Sequence, residues 1–92
     1  MPHVDAEKSK LLNRLRRIRG QLEAVERAVE TDSECAAVLQ RATACRGAMD
    51  GFIAEVIEDH IREHMIDPAA SPEDPRVLAA EELVGIVHTY LK

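Results

Sequence analysis

The chain has 92 residues, a formal net charge of −5, one Phe, one Tyr and no Trp. A chain this short buries only a small core, and its aliphatic composition favours packed helices that complete their cores by oligomerising. No apolar run approaches the roughly 20 residues that span a bilayer, and the N-terminus lacks a signal-peptide pattern. We therefore expect a cytoplasmic protein with no membrane partner.

Positive charge is concentrated near the N-terminus. Six basic and no acidic residues occur in KSKLLNRLRRIR, residues 8–19, whereas residues 47–92 hold three basic and ten acidic side chains. A solvated helix face is the usual explanation of such a run. Here, however, the like charges repel one another at helical spacing with no acid to offset them. Binding to the phosphates of a nucleic acid explains why that repulsion is tolerated.

Hydrophobic periodicity predicts three helices and no strand. Helix 1, about residues 5–30, carries an apolar stripe with steps of three and four: Leu11, Leu15, Ile18, Leu22, Val25 and Val29. Thr31 and Glu34 then have the spacing of a capping box for the next helix. Helix 2, about residues 33–65, carries a second stripe: Cys35, Val38, Ala42, Cys45, Met49, Phe52 and Val56.

A loop with three prolines, DPAASPEDP, separates helix 2 from helix 3. Asp74 and Pro75 are typical of an N-cap and a first helical residue. Helix 3, about residues 75–91, has an apolar stripe: Leu83, Val87, Tyr90 and Leu91. We expect one domain over residues 1–92.

Several side chains are candidate metal ligands. His60 and His64 are one helical turn apart, as paired ligands on a helix are, although such a pair is more often ordinary surface. Cys35 and His3 are further candidates. On one straight helix Cys35 and His60 are about 37 Å apart, so a single chain does not bring them to one ion.

Two copies of helix 2 packed antiparallel resolve this conflict. Placing Cys35 opposite His60 and His64 of a second protomer puts the two-fold axis near residues 48–49, where RGAMDG offers small side chains for a close crossing. A hairpin of helices 1 and 2 places His3 beside His60. Each dimer then holds two equivalent sites between protomers.

The segments RLRRIRGQLEAVERAVE, EC followed by AAVLQR, RGAMDG and EVIEDHIREH closely resemble the CsoR/RcnR/FrmR family of bacterial repressors. The resemblance covers essentially the whole chain. It implies an all-α, three-helix protomer, an antiparallel dimer and a disc-shaped homotetramer that binds double-stranded operator DNA. By resemblance the DNA contacts are Arg14, Arg17 and Arg46, with Lys10 and Arg19 as weaker candidates.

The resemblance also implies two alternative effectors. Nickel/cobalt sensors resemble this chain at His3, Cys35, His60 and His64, which predicts Ni(II) or Co(II) as effector, with Zn(II) possible, and control of metal efflux genes. Formaldehyde sensors, which need no cofactor, resemble it at Pro2, Cys35 and His60. In them a methylene joins the residues that match Pro2 and Cys35, and they control formaldehyde detoxification genes. Since that branch typically has Glu at the position of His64, we favour the metal.

Two other classes of function fit the residues less well. A metal-storage bundle needs the histidines but not the basic run. An enzyme needs an acid or base beside an open coordination position, and the nearest candidate, Glu63, points away from the face of His60 and His64. We therefore expect no catalytic residues and no enzymatic activity.

Overall fold

A computed structural model describes the backbone of residues 2–91 and the side chains of residues 7–91. It contains three helices: α1 (Pro2–Glu30), α2 (Cys35–Met65) and α3 (Pro75–Leu91). Residues 2–91 contain no strand, and the predicted all-α class and three-helix protomer are confirmed. α3 has the predicted bounds, whereas α1 begins before residue 5 and α2 begins after residue 33. Within the described residues, no helix is long and apolar enough to cross a membrane.

The chain divides into two compact units, Met1–Phe52 and Ile53–Lys92. The first holds α1 and the N-terminal part of α2; the second holds the rest of α2 and α3. The expectation of one domain over residues 1–92 stays a prediction.

The first unit has a thin apolar core. Its buried apolar side chains, among those described, are Ile18 and Ala28. A larger set is half-buried: Leu11, Leu15 and Val25 of α1, and Val38, Ala42, Cys45 and Phe52 of α2. Leu22 and Val29 belong to the predicted α1 stripe but are 58% and 60% exposed. The chain alone therefore covers its α1 stripe only in part.

The turn between α1 and α2 differs from the predicted capping box. The Thr31 hydroxyl donates to the carbonyl of Arg27 at 2.8 Å, so it closes the end of α1. The amides of Asp32 and Ser33 donate to Val29 and Ala28, the pair of bonds of a Schellman motif. Asp32 has the left-handed backbone that this motif requires, with φ 55°. The capping-box prediction was wrong because Thr31 serves the preceding helix.

The second unit contains a small cluster of buried residues, formed by α2 and α3: Ala54, Ile61, Ala80, Val84 and Val87, with Ile57 and Ile66 packed against it. The predicted α3 stripe was therefore wrong except at Val87, since Leu83, Tyr90 and Leu91 are exposed. Ala80 and Val84, which the predicted stripe did not include, are buried in this cluster.

The start of α3 confirms the predicted N-cap. The Asp74 carboxylate accepts a hydrogen bond from the Arg76 amide at 2.8 Å, and Pro75 is the first helical residue. In the preceding loop, a hydrogen bond from the Ser71 hydroxyl lowers the pKa of the Glu73 carboxyl. These local bonds fix the start of α3 at Pro75, the third proline of the segment.

Candidate functional site

Three of the five predicted DNA contacts meet in one groove on α1. Lys10, Arg14 and Arg17 line it together with Ser9 and Asn13. Their spacing of three and four residues places them on one side of the helix. The groove therefore presents three cations on one face, together with a hydroxyl and an amide that can hydrogen-bond to an anion.

Arg14 is held closer to the protein than its neighbours. It is half-buried, while Arg17 is exposed. Its Nη1 atom lies 3.4 Å from the point that a Cβ atom at Gly51 would occupy. The guanidinium therefore lies against this part of α2.

The other arginines of the region have different surroundings. Arg16 donates to the Asn13 side chain at 3.0 Å, which orients one wall of the groove. Arg19 and Arg46 are exposed, and neither lines the groove. The structure thus joins Lys10, Arg14 and Arg17 but not the remaining two predicted contacts.

The two histidines of α2 lie side by side. The rings of His60 and His64 have centroids 4.7 Å apart and are tilted by 45°. Both side chains are exposed, so their ring nitrogens can turn toward a shared ligand. Paired imidazoles one turn apart suit Ni(II), Co(II) or Zn(II).

The remaining predicted effector residues are not gathered in this way. Cys35 is the first residue of α2 and carries an exposed free thiol. The side chains of Pro2 and His3 lie outside the described residues. Among those that are described, no three His, Cys, Asp or Glu residues could hold one metal ion. The chain by itself offers two imidazoles and a separate thiol, donor types that fit a divalent transition metal once they are brought together.

Two buried carboxylates were not predicted. Glu55 and Glu58 are 4% and 7% exposed. Glu58 Oε1 lies 3.5 Å from His88 Nδ1, and Arg62 makes a more exposed ion pair with Glu81 at 3.5 Å. Charged residues are rarely buried unless paired, so nothing in the sequence alone marked Glu55 or Glu58 as interior. His88, given no role from the sequence, is a partner of Glu58.

Comparison with known proteins places these features in a family. Residues 7–89 match the family described as metal-sensitive transcriptional repressor. The chain belongs to this family of repressors. The repressor is 46% identical, over 92 residues and the full length of both chains, to an uncharacterized protein in the bioA 5′ region of Serratia marcescens. It is 37% identical, again over the full length of both, to the transcriptional repressor RcnR of Citrobacter koseri.

A solved structure is similar as well. It is a glutamate-to-histidine variant of the formaldehyde-responsive regulator FrmR from Salmonella enterica serovar Typhimurium. It is 37% identical to the repressor, covers 94% of this chain and 96% of its own, and has a TM-score of 0.65. The family consists of transcriptional regulators, not enzymes, so the expectation of no enzymatic activity is confirmed.

Proposed function

We propose that this protein is an operator-binding repressor that Ni(II) or Co(II) releases from DNA, and that it controls metal efflux genes in the cytoplasm. The effector site consists of His3, His60 and His64 of one protomer and Cys35 of another. The observation that carries the proposal is the exposed, adjacent pair of imidazoles at His60 and His64. Membership of a metal-sensitive family supports the same conclusion.

The basic groove supports DNA as the partner. Lys10, Arg14 and Arg17 share one groove in a protein whose net charge is −5. Cations gathered on one face bind phosphates by releasing condensed counterions, while the acidic remainder of the chain disfavours indiscriminate binding. We assign Arg46 and Arg19 to the rim of this surface.

Assembly as an antiparallel dimer, and then as a tetramer of two dimers, supplies what one chain lacks. Cys35 opens α2, and His60 and His64 lie near the end of the same helix. Antiparallel pairing about an axis near residues 48–49 brings the thiol of one protomer to the imidazoles of the next. Exposed apolar residues such as Leu22, Val29 and Leu39 offer surface for this assembly.

Release requires that the effector favour one of two states of the assembly. A divalent ion would be held by His3, His60 and His64 of one protomer and Cys35 of another, and it would draw these donors together. His3 lies in the first turn of α1, so holding it would fix the position of the start of that helix, and the basic groove lies on the same helix. The effector changes DNA affinity only through its differential affinity for the two states, about 1–3 kcal/mol for coupled sites.

Formaldehyde is the second candidate effector, favoured by the similarity to a formaldehyde-responsive regulator. Removal of Met1 would expose the secondary amine of Pro2. That amine and the Cys35 thiol would each lose a proton to formaldehyde, whose oxygen leaves as water, so that one methylene joins nitrogen to sulfur. The repressor would then control formaldehyde detoxification. His64 argues against this alternative, because formaldehyde sensors of this family typically have Glu at the matching position.

A titration distinguishes the two effectors. The repressor bound to DNA from upstream of its own gene is titrated with Ni(II), Co(II), Zn(II) and formaldehyde, and release is followed by fluorescence anisotropy. We expect Ni(II) or Co(II) to release the DNA. Release by formaldehyde alone would replace the metal proposal with the alternative.

The variant His64→Glu tests the ligand assignment. It removes one imidazole of the pair, so we expect Co(II) affinity to fall by at least tenfold, since even loss of a residue that only orients a metal ligand costs about 10–100-fold. His88→Gln is the matched control, since it removes a histidine that lies beside Glu58 instead, and it should leave Co(II) affinity unchanged. Equal Co(II) affinity in His64→Glu and the wild type would refute the assignment.

A further inference from the structure

A second cationic groove lies at the end of the helix pair. It is lined by Arg27 and Arg41, by the hydroxyl residues Thr31 and Ser33, and by Ala24 and Ala28. Both arginines are exposed, one in the last turn of α1 and the other on α2. This groove belongs entirely to the unit Met1–Phe52.

The second groove continues the first along α1. Lys10, Asn13 and Arg17 of the first groove are spaced by three and four residues. The same steps continue along α1 through Gly20 and Ala24 to Arg27 and Thr31. Of these four residues, Ala24, Arg27 and Thr31 line the second groove. Alternating steps of three and four keep residues on one face of a helix. Gly20 and Ala24, which have no side chain or a short one, lie on α1 between the basic residues of the two grooves.

The two guanidinium groups are the anion-binding groups of the second groove. The Thr31 hydroxyl donates its proton to the Arg27 carbonyl, so Ser33 is the donor in the 3.3 Å contact between the two hydroxyls. Glu23 and Glu30 flank Arg27 on α1. Within the described part of the chain, neither forms an ion pair with Arg27, and Arg41 has no acidic partner within 4 Å either.

We infer that Arg27 and Arg41 form a second phosphate clamp for the backbone of operator DNA. The inference rests on the proposed DNA-binding function. Lys10 and Arg27 are 17 residues apart, about 25 Å along α1, and each DNA strand presents a phosphate about every 3.4 Å along its axis. A duplex lying along this face therefore presents phosphates to both grooves. Because phosphate contacts carry no base information, the clamp adds affinity but not sequence specificity.

The salt dependence of DNA binding tests the clamp. Arg27→Gln and Arg41→Gln are compared with the wild type for upstream DNA and for an unrelated duplex, across a range of salt. Each lost phosphate contact should lower the slope of log affinity against log salt by about 0.9 and the affinity at 0.1 M salt by about eightfold. Both duplexes should be affected equally, while release by effector, helicity and oligomer mass stay unchanged.

Arg76→Gln is the control matched in charge, because Arg76 is exposed in α3 and lies outside both grooves. It should leave the slope unchanged. If the wild type binds with a steep slope and Arg27→Gln and Arg41→Gln behave like Arg76→Gln, the clamp is refuted while the proposed function stands. If the wild type shows no salt-dependent binding to its upstream DNA, the proposed function fails and the clamp fails with it.

Discussion

Asp32 is the residue at which the chain leaves α1, and its left-handed backbone has a measurable energetic cost. A side chain in this conformation clashes with the backbone, and glycine does not. Asp32→Gly should therefore raise the free energy of unfolding by about 0.5–1 kcal/mol. The midpoint of thermal unfolding, measured at one fixed protein concentration, checks the prediction.

Ala69→Gly is the matched control for Asp32→Gly. Ala69 is an exposed loop residue, and among the described residues Asp32 alone has a positive φ. Glycine at position 69 should lower stability by about 0.4–1 kcal/mol through the entropy of the unfolded chain. An equal loss in both variants would contradict the strain assigned to Asp32.

At the level of single residues, the sequence predicted pairs whose chemistry depends on helical spacing alone. His60 and His64 are adjacent because a helix places every fourth residue on the same face. Glu55 and Glu58 could not be predicted, because their burial depends on what α3 covers. The left-handed backbone of Asp32 was not predicted for a related reason. The Thr31 side chain could have capped either α1 or α2, and only the structure shows that it bonds to Arg27 at the end of α1.

At the level of elements, the variant Gly47→Ala tests the predicted crossing of two α2 helices. A Cβ atom at Gly47 meets nothing within 4 Å in the chain itself, and the same holds for Gly85 in α3. Replacing a helical glycine by alanine in open space should stabilise by about 0.5–1 kcal/mol, and we expect this of Gly85→Ala. Gly47→Ala should instead weaken the oligomer, because the new methyl group enters the close crossing near residues 48–49.

Oligomer mass at successive dilutions and the unfolding midpoint measure both glycine variants. Dissociation of Gly47→Ala at a higher concentration than the wild type is the expected result. If Gly47→Ala is stabilised as much as Gly85→Ala and keeps its oligomer mass, the helices do not cross there. A shifted axis would also separate Cys35 from His60 of the partner.

The existence of the three helices and the two helix ends that flank the proline loop were predictable, because they depend on local chemistry. The proline loop ends α2 at Met65, and the carboxylate of Asp74 begins α3, as predicted. The buried face of α3 was not predictable from apolar size. Ala80 and Val84 are buried while the larger Leu83 is not, because the tertiary contact with α2 decides which face of α3 is covered.

At the level of the whole molecule, a mixture of two variants with defective sites tests whether the site is shared between protomers. Cys35→Ala and His64→Glu each damage every site in a homodimer. In a mixed dimer, one site keeps Cys35 of one protomer and His64 of the other. Co-refolded equal amounts should regain about one quarter of the wild-type number of sites.

The thiolate-to-Co(II) charge-transfer absorption band measures this recovery. In the control, the two variants are refolded separately and then combined under conditions in which their subunits do not exchange. Recovery only after co-refolding is the expected outcome. A mixture with no more thiolate-bound Co(II) than its components would show that thiol and imidazoles of different protomers do not share an ion.

The exposed apolar surface of the single chain has a consequence for the cell. Among the described residues, no large side chain is fully buried, and Leu22, Val29 and Leu39 each keep more than half of their surface exposed. If the copies assemble as proposed, a newly made copy would become fully stable only on meeting another copy, and proteases would compete for it until then. Below a threshold rate of synthesis, copies would be degraded before they pair, and the gene under control would be read without any inducer being present.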